Sequence, residues 1–223
     1  MWDVIEAPIL WQGAWVTVQL TLYSAALAFA LAFPFGLAGI SRHAWVRAIG
    51  RFYVEVFRGL PALVLMFWFF YSLPLAGLRL ETLFAGVAAL GLNYGAYGAE
   101  VVRGALKAVP KTQFEAAVAL NLRPAQRVRR VLLPQAVPLM LPTFGNQLVE
   151  LMKATAIVSL ISISDLMFRA QQLRSSTGEG AAVFLVILVM YFVIAQAMLL
   201  LVRYLERRSE RTLGRVRAEG AAR

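Results

Sequence analysis

The feature that most constrains the fold is an unbroken apolar run over residues 181–202, which contains no Lys, Arg, Asp or Glu. About 20 mostly apolar residues are enough to cross the hydrocarbon core of a bilayer. Further apolar runs occupy residues 11–40, 59–75, 82–105 and 134–153, and 60% of the chain is hydrophobic while only 15% is charged. The sequence therefore predicts an all-α, polytopic membrane protein with about five transmembrane helices.

The connections between these runs differ in character. Residues 41–58 carry four arginines and are predicted to form a basic loop. Residues 154–180 mix short apolar runs with polar residues, which predicts a re-entrant or peripheral helix. Pro34 predicts a kink or an early stop near the end of the first run, and Pro138 and Pro142 predict that the fourth span is not straight.

Positive charge is distributed unevenly along the chain. Of the 22 Lys and Arg residues, 18 fall in residues 41–58, residues 103–130 and the tail from 203. Because short cytoplasmic loops collect positive charge, the sequence predicts that the N-terminus is outside and that the basic tail, residues 206–223, is cytoplasmic. The expected location is the inner membrane, which the chain crosses several times. The net charge of +10 follows from this topology and gives no support to nucleic-acid binding.

One charged segment, residues 113–134, interrupts the membrane pattern. Phe114, Ala117 and Val118 recur at near-helical spacing, which indicates an amphipathic helix. Glu115 stands near the start of this helix, where a carboxylate suits the helix dipole. The topology puts the segment in the cytoplasm, so it is either a helix lying on the lipid headgroups or a contact surface for a soluble partner.

The spacing of this segment resembles the EAA loop of the membrane subunits of ABC importers. The family usually has Gly at the turn position that Asn121 occupies here. Asn is the residue next most tolerant of left-handed backbone, so we expect the turn to be kept. The resemblance implies a coupling helix seated in a cleft of a cytoplasmic ATPase subunit. The matching residues are Glu115, Ala116, Ala117, Asn121, Leu133 and Pro134.

Other segments narrow the resemblance to the polar amino-acid family of ABC importer permeases. They are Glu55 to Pro61, Tyr94-Gly95, Glu100 to Gly104, Leu133 to Ala136 and Lys153-Ala154-Thr155. Within that family, stretches such as AIVSLISISDL look most similar to the permease of the ectoine/hydroxyectoine importer. The resemblance implies a permease domain over residues 11–205 that translocates ectoine, a compatible solute, with polar or basic amino acids as the alternative.

Motifs for catalysis are missing from the sequence. An ATPase needs a Gly-rich loop ending in Gly-Lys-Ser/Thr, and the chain has no Gly-Lys pair. It has no cysteine and a single histidine, His43, so an intramembrane enzyme is a remote alternative and neither a metal nor a cofactor is expected. The resemblance implies that ATP is bound by separate ATPase subunits. It also implies a second permease, similar or identical, and an extracytoplasmic substrate-binding protein.

Polar residues inside the predicted spans are candidates for a substrate pathway, because polar groups at membrane depth are costly and commonly functional. Two helical stripes carry them: Asn93, Tyr97 and Glu100 on the third span, and Asn146 and Glu150 on the fourth. A gating or structural role is predicted for Glu55, Arg58, Arg103 and Lys153. Hydrogen bonds between helices, or local ion pairs such as Glu55 with Arg58, Glu100 with Arg103 and Glu150 with Lys153, are the alternative.

Overall fold

The computed structural model describes the backbone of residues 7–221 and the side chains of residues 7–208. Within this range the regular structure is entirely helical. The basic side chains predicted for the tail beyond Arg208 lie outside the described residues. The helices are α1 (Pro8–Ala38), α2 (Ala44–Gly59), α3 (Ala62–Phe67), α4 (Thr82–Ala108), α5 (Lys111–Ala119), α6 (Pro124–Arg127), α7 (Leu133–Ala154), α8 (Leu166–Thr177) and α9 (Gly180–Ala221).

Among the described residues, two helices are individually long and apolar enough to cross a membrane: α1, and α9 over Gly180–Arg208. Two bent pairs have the same capacity if each pair counts as one span. The first pair, Ala44–Gly59 with Ala62–Ala76, bends by 96°, and the second, Pro124–Ile161 with Leu166–Thr177, bends by 52°. The protein is thus an all-helical, polytopic membrane protein with two to four spans by length and composition.

Helix α4 forms the centre of the bundle and contacts α1, α2, α3 and α7. Small residues allow these contacts, since helices can approach closely where side chains are short. A Cβ atom built on Gly36 of α1 would lie 2.7 Å from Val102 Cβ and 2.8 Å from the Ala99 carbonyl oxygen of α4. No side chain fits in that space, so the backbone of α1 at Gly36 packs directly against the Val102 side chain of α4.

The basic stretch 41–58 is a helix, and the prediction of a loop was wrong for most of its length. Gly50, Tyr53 and Val54 of α2 are buried against the bundle, while Trp45, Ile49 and Phe52 are exposed. The arginines share the remaining surface, so the charges that suggested a loop belong to one side of a strongly amphipathic helix.

The second predicted span, 59–75, is not one regular helix. The chain is extended at Leu60 and Pro61, and α3 then continues as a π-helical turn, Trp68–Ser72, and a 3-10 turn, Leu73–Ala76. In contrast, α1 runs through Pro34 to Ala38, so the early stop predicted there does not occur.

The segment predicted to be re-entrant or peripheral contains a 3-10 helix, Thr155–Ile161, and α8. Asp165 is fully buried and caps α8, its carboxylate accepting a hydrogen bond from the Phe168 N–H at 2.9 Å. A second anchor holds the same end, because the Leu166 N–H donates to the Thr17 hydroxyl at 3.1 Å. Helix α8 is thereby fixed to α1.

Candidate functional site

Helix α5 carries the Glu-Ala-Ala sequence and projects from the bundle between α4 and α7. Only Ala117 of its nine residues is buried. Phe114 and Val118 are 46% and 42% exposed, and Leu120, directly after the helix, is 74% exposed. An exposed helix that presents apolar side chains beside Glu115 is a surface suited to contact with another protein.

The end of α5 is closed by a Schellman motif with Asn121 in the left-handed conformation, at φ 55°. The Leu122 N–H donates to the Ala117 carbonyl at 3.1 Å, and the Asn121 N–H donates to the Val118 carbonyl at 2.8 Å. These bonds satisfy two carbonyls that the helix leaves free. Asn121 therefore makes the turn that the family usually makes with Gly.

The chain returns from α5 to the bundle through a braced connection. The Arg127 Nε donates to the Leu122 carbonyl at 2.6 Å, and the Arg127 guanidinium lies 5.7 Å from the centre of the Phe114 ring. A π-helical turn, Val128–Leu132, follows α6 and leads directly into α7, where Leu133 and Pro134 are the first residues. The two Arg127 contacts brace the short connection between α5 and α7.

Asn93 is 5% exposed and lies where α4 meets the break between α2 and α3. Its side-chain amide donates to the Phe57 carbonyl at 2.7 Å and to the Leu60 carbonyl at 3.0 Å. These carbonyls lie at the end of α2, where the helix supplies no N–H groups of its own. The amide group of Asn93 therefore holds the broken span together, which is the structural alternative for this residue.

The other candidates on α4 differ from Asn93 in exposure. Tyr97 is 39% exposed; its ring lies 6.2 Å from that of Tyr94, and the Arg58 guanidinium lies 5.5 Å from its centre. Glu100 accepts two hydrogen bonds from Arg103, the one from Nε at 2.9 Å. Tyr97 and Arg58 thus form an open polar surface, whereas Glu100 is engaged by its neighbour on the same helix.

On α7, Asn146, Glu150 and Lys153 are all exposed. No ion pair joins Glu150 to Lys153 among the described side chains, so that local alternative is not present. Sequence reasoning missed Gln147, whose amide donates to the Tyr94 carbonyl at 3.2 Å and links α7 to α4. Its position one residue from Asn146, on the face turned toward the bundle, was the available signal.

Three of the four predicted gating residues, Glu55, Arg58 and Arg103, line one open cavity of about 340 Å³ between α1, α2 and α4. Arg51 and Lys107 line the same cavity and add positive charge. Glu55 is 3.9 Å from Arg51 in an exposed ion pair, in place of the predicted pairing with Arg58. Lys153 does not reach this cavity. No cluster of three or more His, Cys, Asp or Glu residues suited to a metal ion occurs in the described part of the chain.

Comparison with known proteins agrees with this architecture. The family described as "Binding-protein-dependent transport system inner membrane component" matches residues 10–211. A probable amino-acid ABC transporter permease of Sinorhizobium fredii, y4tF, is 46% identical over 203 residues, covering 88% of this chain and 85% of the relative. A probable glutamine ABC transporter permease of Bacillus subtilis, GlnM, is 34% identical over 196 residues, covering 86% and 91%.

A solved structure described as an amino acid ABC transporter with histidines shares the fold. It is 32% identical, superposes with a TM-score of 0.83 and covers 90% of this chain and 94% of its own. Sequence and structure thus agree over nearly the whole length. The chain belongs to the family of inner-membrane components of binding-protein-dependent transport systems, and it is a multi-pass permease subunit rather than an enzyme.

Proposed function

We propose that this chain is the permease subunit of an ATP-driven importer of polar or basic amino acids. The single observation that supports this best is α5, an exposed helix whose connection to the core helix α7 is braced by Arg127. The substrate class is supported by the relatives, which are named for amino acids and for glutamine. Ectoine, which the sequence resemblance favoured, is a zwitterion of similar size and is tested beside them.

The proposed topology has five spans: α1, the α2–α3 pair, α4, the α7–α8 pair and α9. Helix α4 corresponds to the apolar run 82–105, although it is not among the helices that are apolar enough to qualify as a span individually. Its 27 residues are long enough to cross, since a helix of this length rises about 40 Å. The distribution of Lys and Arg supports an external N-terminus and a cytoplasmic C-terminus.

In the proposed mechanism, α5 sits in a cleft of a cytoplasmic ATPase subunit. ATP-driven closure of two ATPase subunits displaces α5, and the braced connection at Arg127 carries the movement into α7. The bundle then changes from inward-facing to outward-facing, where a binding protein delivers substrate.

The coupling role is tested by inverting one exposed charge. We expect Glu115→Lys to reduce ATP-dependent uptake at least about tenfold and to weaken co-purification with the ATPase, because inversion of an interface charge replaces attraction by repulsion. The matched control is Glu179→Lys, the same charge inversion at an exposed residue between α8 and α9. Full uptake by Glu115→Lys would count against the coupling role.

The proposed pathway runs past the open surface of Tyr97 and Arg58 on one side and Asn146 and Glu150 on the other. These groups suit a zwitterion: a guanidinium for its carboxylate, and a carboxylate and aromatic rings for its ammonium. Asn93 and Glu100 already form hydrogen bonds within the chain, and we assign them to the support of this surface. They keep a place in the pathway proposal as positioning residues.

The substrate is tested by uptake into proteoliposomes that hold the assembled importer, with binding protein outside and ATP inside. We expect ATP-dependent uptake of labelled glutamine or arginine that unlabelled ectoine does not reduce. Uptake of labelled ectoine that glutamine, arginine and glutamate fail to reduce would establish ectoine instead. Absence of ATP-dependent uptake of every one of these by an assembled complex would overturn the proposal.

A further inference from the structure

The open cavity between α1, α2 and α4 carries more positive than negative side chains. Two carboxylates line it, those of Glu55 and Glu100. Five basic side chains line the same space, three from α2 and two from α4: Arg47, Arg51, Arg58, Arg103 and Lys107. The cations thus exceed the carboxylates by three.

Both carboxylates are already engaged by an arginine of their own helix. Glu100 accepts two hydrogen bonds from Arg103 on α4, and Glu55 lies 3.9 Å from Arg51 on α2. The other three cations of the cavity have no carboxylate within 4.0 Å among the described side chains. The excess of positive charge is therefore left without a partner inside the chain.

Two of these three cations, Arg47 and Lys107, have donors to offer a ligand. The Arg47 Nη1 donates to the Ser41 carbonyl at 2.9 Å, and the rest of this guanidinium makes no hydrogen bond to the described residues. Lys107 makes none to the described part of the chain, and its ammonium group is a donor only. The third cation, Arg58, lies against the Tyr97 ring in the proposed pathway and is left out of the site.

The wall of the cavity on the α4 side is held in place by close packing. A Cβ atom built on Gly39 of α1 would lie 2.9 Å from Arg103 Cδ. The Arg103 side chain therefore passes directly over the backbone of α1, and its two bonds to Glu100 fix the guanidinium at the end. This neutral pair forms a wall beside the unpaired cations and does not compete with them for a ligand.

The proposed topology puts the cavity at the cytoplasmic side of the membrane, because its lining residues belong to α2 and to the last turns of α1 and α4. The preference of cytoplasmic segments for Lys and Arg explains why the cations are on that side. It does not explain why they converge in one space between helices. Basic pockets between transmembrane helices on this side of a membrane bind the phosphate groups of lipid headgroups.

We propose that this cavity binds a phosphate group, with Arg47 and Lys107 as its principal ligands. A phosphate group spreads negative charge over several acceptor oxygens, so it can accept hydrogen bonds from two helices at once. The guanidinium of Arg47 offers parallel N–H groups to two of these oxygens, and the Lys107 ammonium supplies a compact charge. The inference goes beyond the proposed function, since no step of the proposed transport mechanism uses a phosphate bound to the permease.

Two sources of phosphate can reach this position: the headgroup of an inner-leaflet phospholipid and free phosphate from the cytoplasm. The exposed apolar side of α2 favours the headgroup. Trp45, Ile49 and Phe52 are 68%, 53% and 69% exposed and recur every three or four positions, so they form one apolar line on a different side of α2 from the arginines. A helix with this division of side chains lies at the membrane interface, within reach of lipid headgroups.

The test measures how much lipid the full-length chain retains in the importer assembled with its partners and purified in detergent. The probes are labelled phosphatidylglycerol and labelled diacylglycerol with the same acyl chains. We expect phosphatidylglycerol to be retained and diacylglycerol to be washed away, because only the former carries a phosphate. Equal retention of both would overturn the proposal, since the acyl chains alone would then account for binding.

The ligands are tested by removing two charges. Arg47→Gln/Lys107→Gln should weaken retention of phosphatidylglycerol at least about tenfold, because charge-assisted hydrogen bonds are lost on both sides of the phosphate. The matched control is Arg42→Gln/Arg130→Gln, which removes two positive charges from exposed residues that do not line the cavity. Wild-type retention is expected for the control. Equal losses in the two double variants would overturn the proposal, since only the overall charge would then matter.

The two sources are separated by equilibrium dialysis of the same samples against labelled inorganic phosphate. Binding of inorganic phosphate that depends on Arg47 and Lys107 and displaces the lipid would assign the site to cytoplasmic phosphate. Retention of lipid without binding of inorganic phosphate would assign it to the headgroup. Failure of the wild-type importer to bind either probe would overturn the proposal.

Folding of each variant is checked by a monodisperse elution profile and by co-purification with the ATPase. Should the double variant fail this check, Lys107→Gln alone replaces it, because Lys107 is exposed and makes no hydrogen bond to the described residues. Unchanged binding of both probes by a folded Lys107→Gln chain would overturn the assignment. Amino-acid uptake remains a separate test of the proposed function, since none of the substituted residues belongs to the proposed pathway or to α5.

Discussion

Helices α9 and α4 lie in the same bundle, but most of the apolar surface of α9 is exposed whereas much of α4 is buried against other helices. The most apolar window of α9 has a mean hydropathy of 2.8 and is 17% buried. Helix α4 does not qualify as a span by hydropathy, yet many of its residues are buried, including Ala85, Ala89, Leu90 and Ala96. Hydropathy therefore reports contact with lipid rather than a position at the centre of the protein. The helix that organises this bundle is rich in Gly and Ala and buries its Asn93 amide against the end of α2.

The largest effect is expected where α1 meets α4. Gly36→Leu places a side chain where a Cβ would already lie 2.7 Å from Val102 Cβ. We expect a loss of about 3 kcal/mol or more, because backbone must move to make room. Gly104→Leu on α4 is the control, since a Cβ there meets nothing within 4 Å. The measurement is the thermal midpoint in detergent, and equal midpoints for the two variants would refute close packing of α1 on α4.

A smaller effect is expected at the break in the second span. Asn93→Leu leaves the Phe57 and Leu60 carbonyls without their donors and should lower stability by about 1–2 kcal/mol. Asn146→Leu removes the same group from the exposed face of α7, where it makes no hydrogen bond to the described residues. The subunit alone should keep its midpoint with that substitution. A midpoint unchanged by Asn93→Leu would mean that the break is held by packing alone.

The smallest effect is expected on the exposed face of α9. Leu188 is 67% exposed, so Leu188→Ala should change stability by no more than about 0.5 kcal/mol. Leu90→Ala on α4 makes the same change at a fully buried residue and should cost about 2 kcal/mol or more. The two variants can be compared by the same thermal scan. Equal losses would contradict the assignment of α9 to lipid and α4 to the core.

Much of the fold could be predicted because its outer helices carry a simple signal. Helices α1 and α9 are apolar on the sides that face lipid, so their spans were found from composition. The helix in residues 41–58 could not be found in this way. Its buried face depends on Gly50 and Tyr53, whose partners are contributed by α1 and α4, distant in sequence.

The residues of the candidate site also differ in whether the sequence could predict their role. The EAA resemblance located α5, and the tolerance of Asn for left-handed backbone anticipated the conformation of Asn121. Helical spacing placed Tyr97 and Glu150 on their stripes but could not tell that Asn93 is committed to the Phe57 and Leu60 carbonyls. Those acceptors exist only because α2 ends there, which depends on tertiary structure. Gln147 was missed for the same reason, since its acceptor is a backbone carbonyl of another helix.

The contrast in hydropathy also has a consequence for biosynthesis. Segments enter the lipid from the translocon one by one only if each is apolar enough to partition alone. Helices α1 and α9 meet that condition, whereas α2 exposes arginines and α4 carries Asn93, Glu100 and Arg103. We therefore expect the middle of the chain to leave the translocon as a group, with the Asn93 hydrogen bonds and the Glu100–Arg103 pair formed before lipid surrounds them. Helix α1, which packs along α4, is the surface on which we expect that group to assemble.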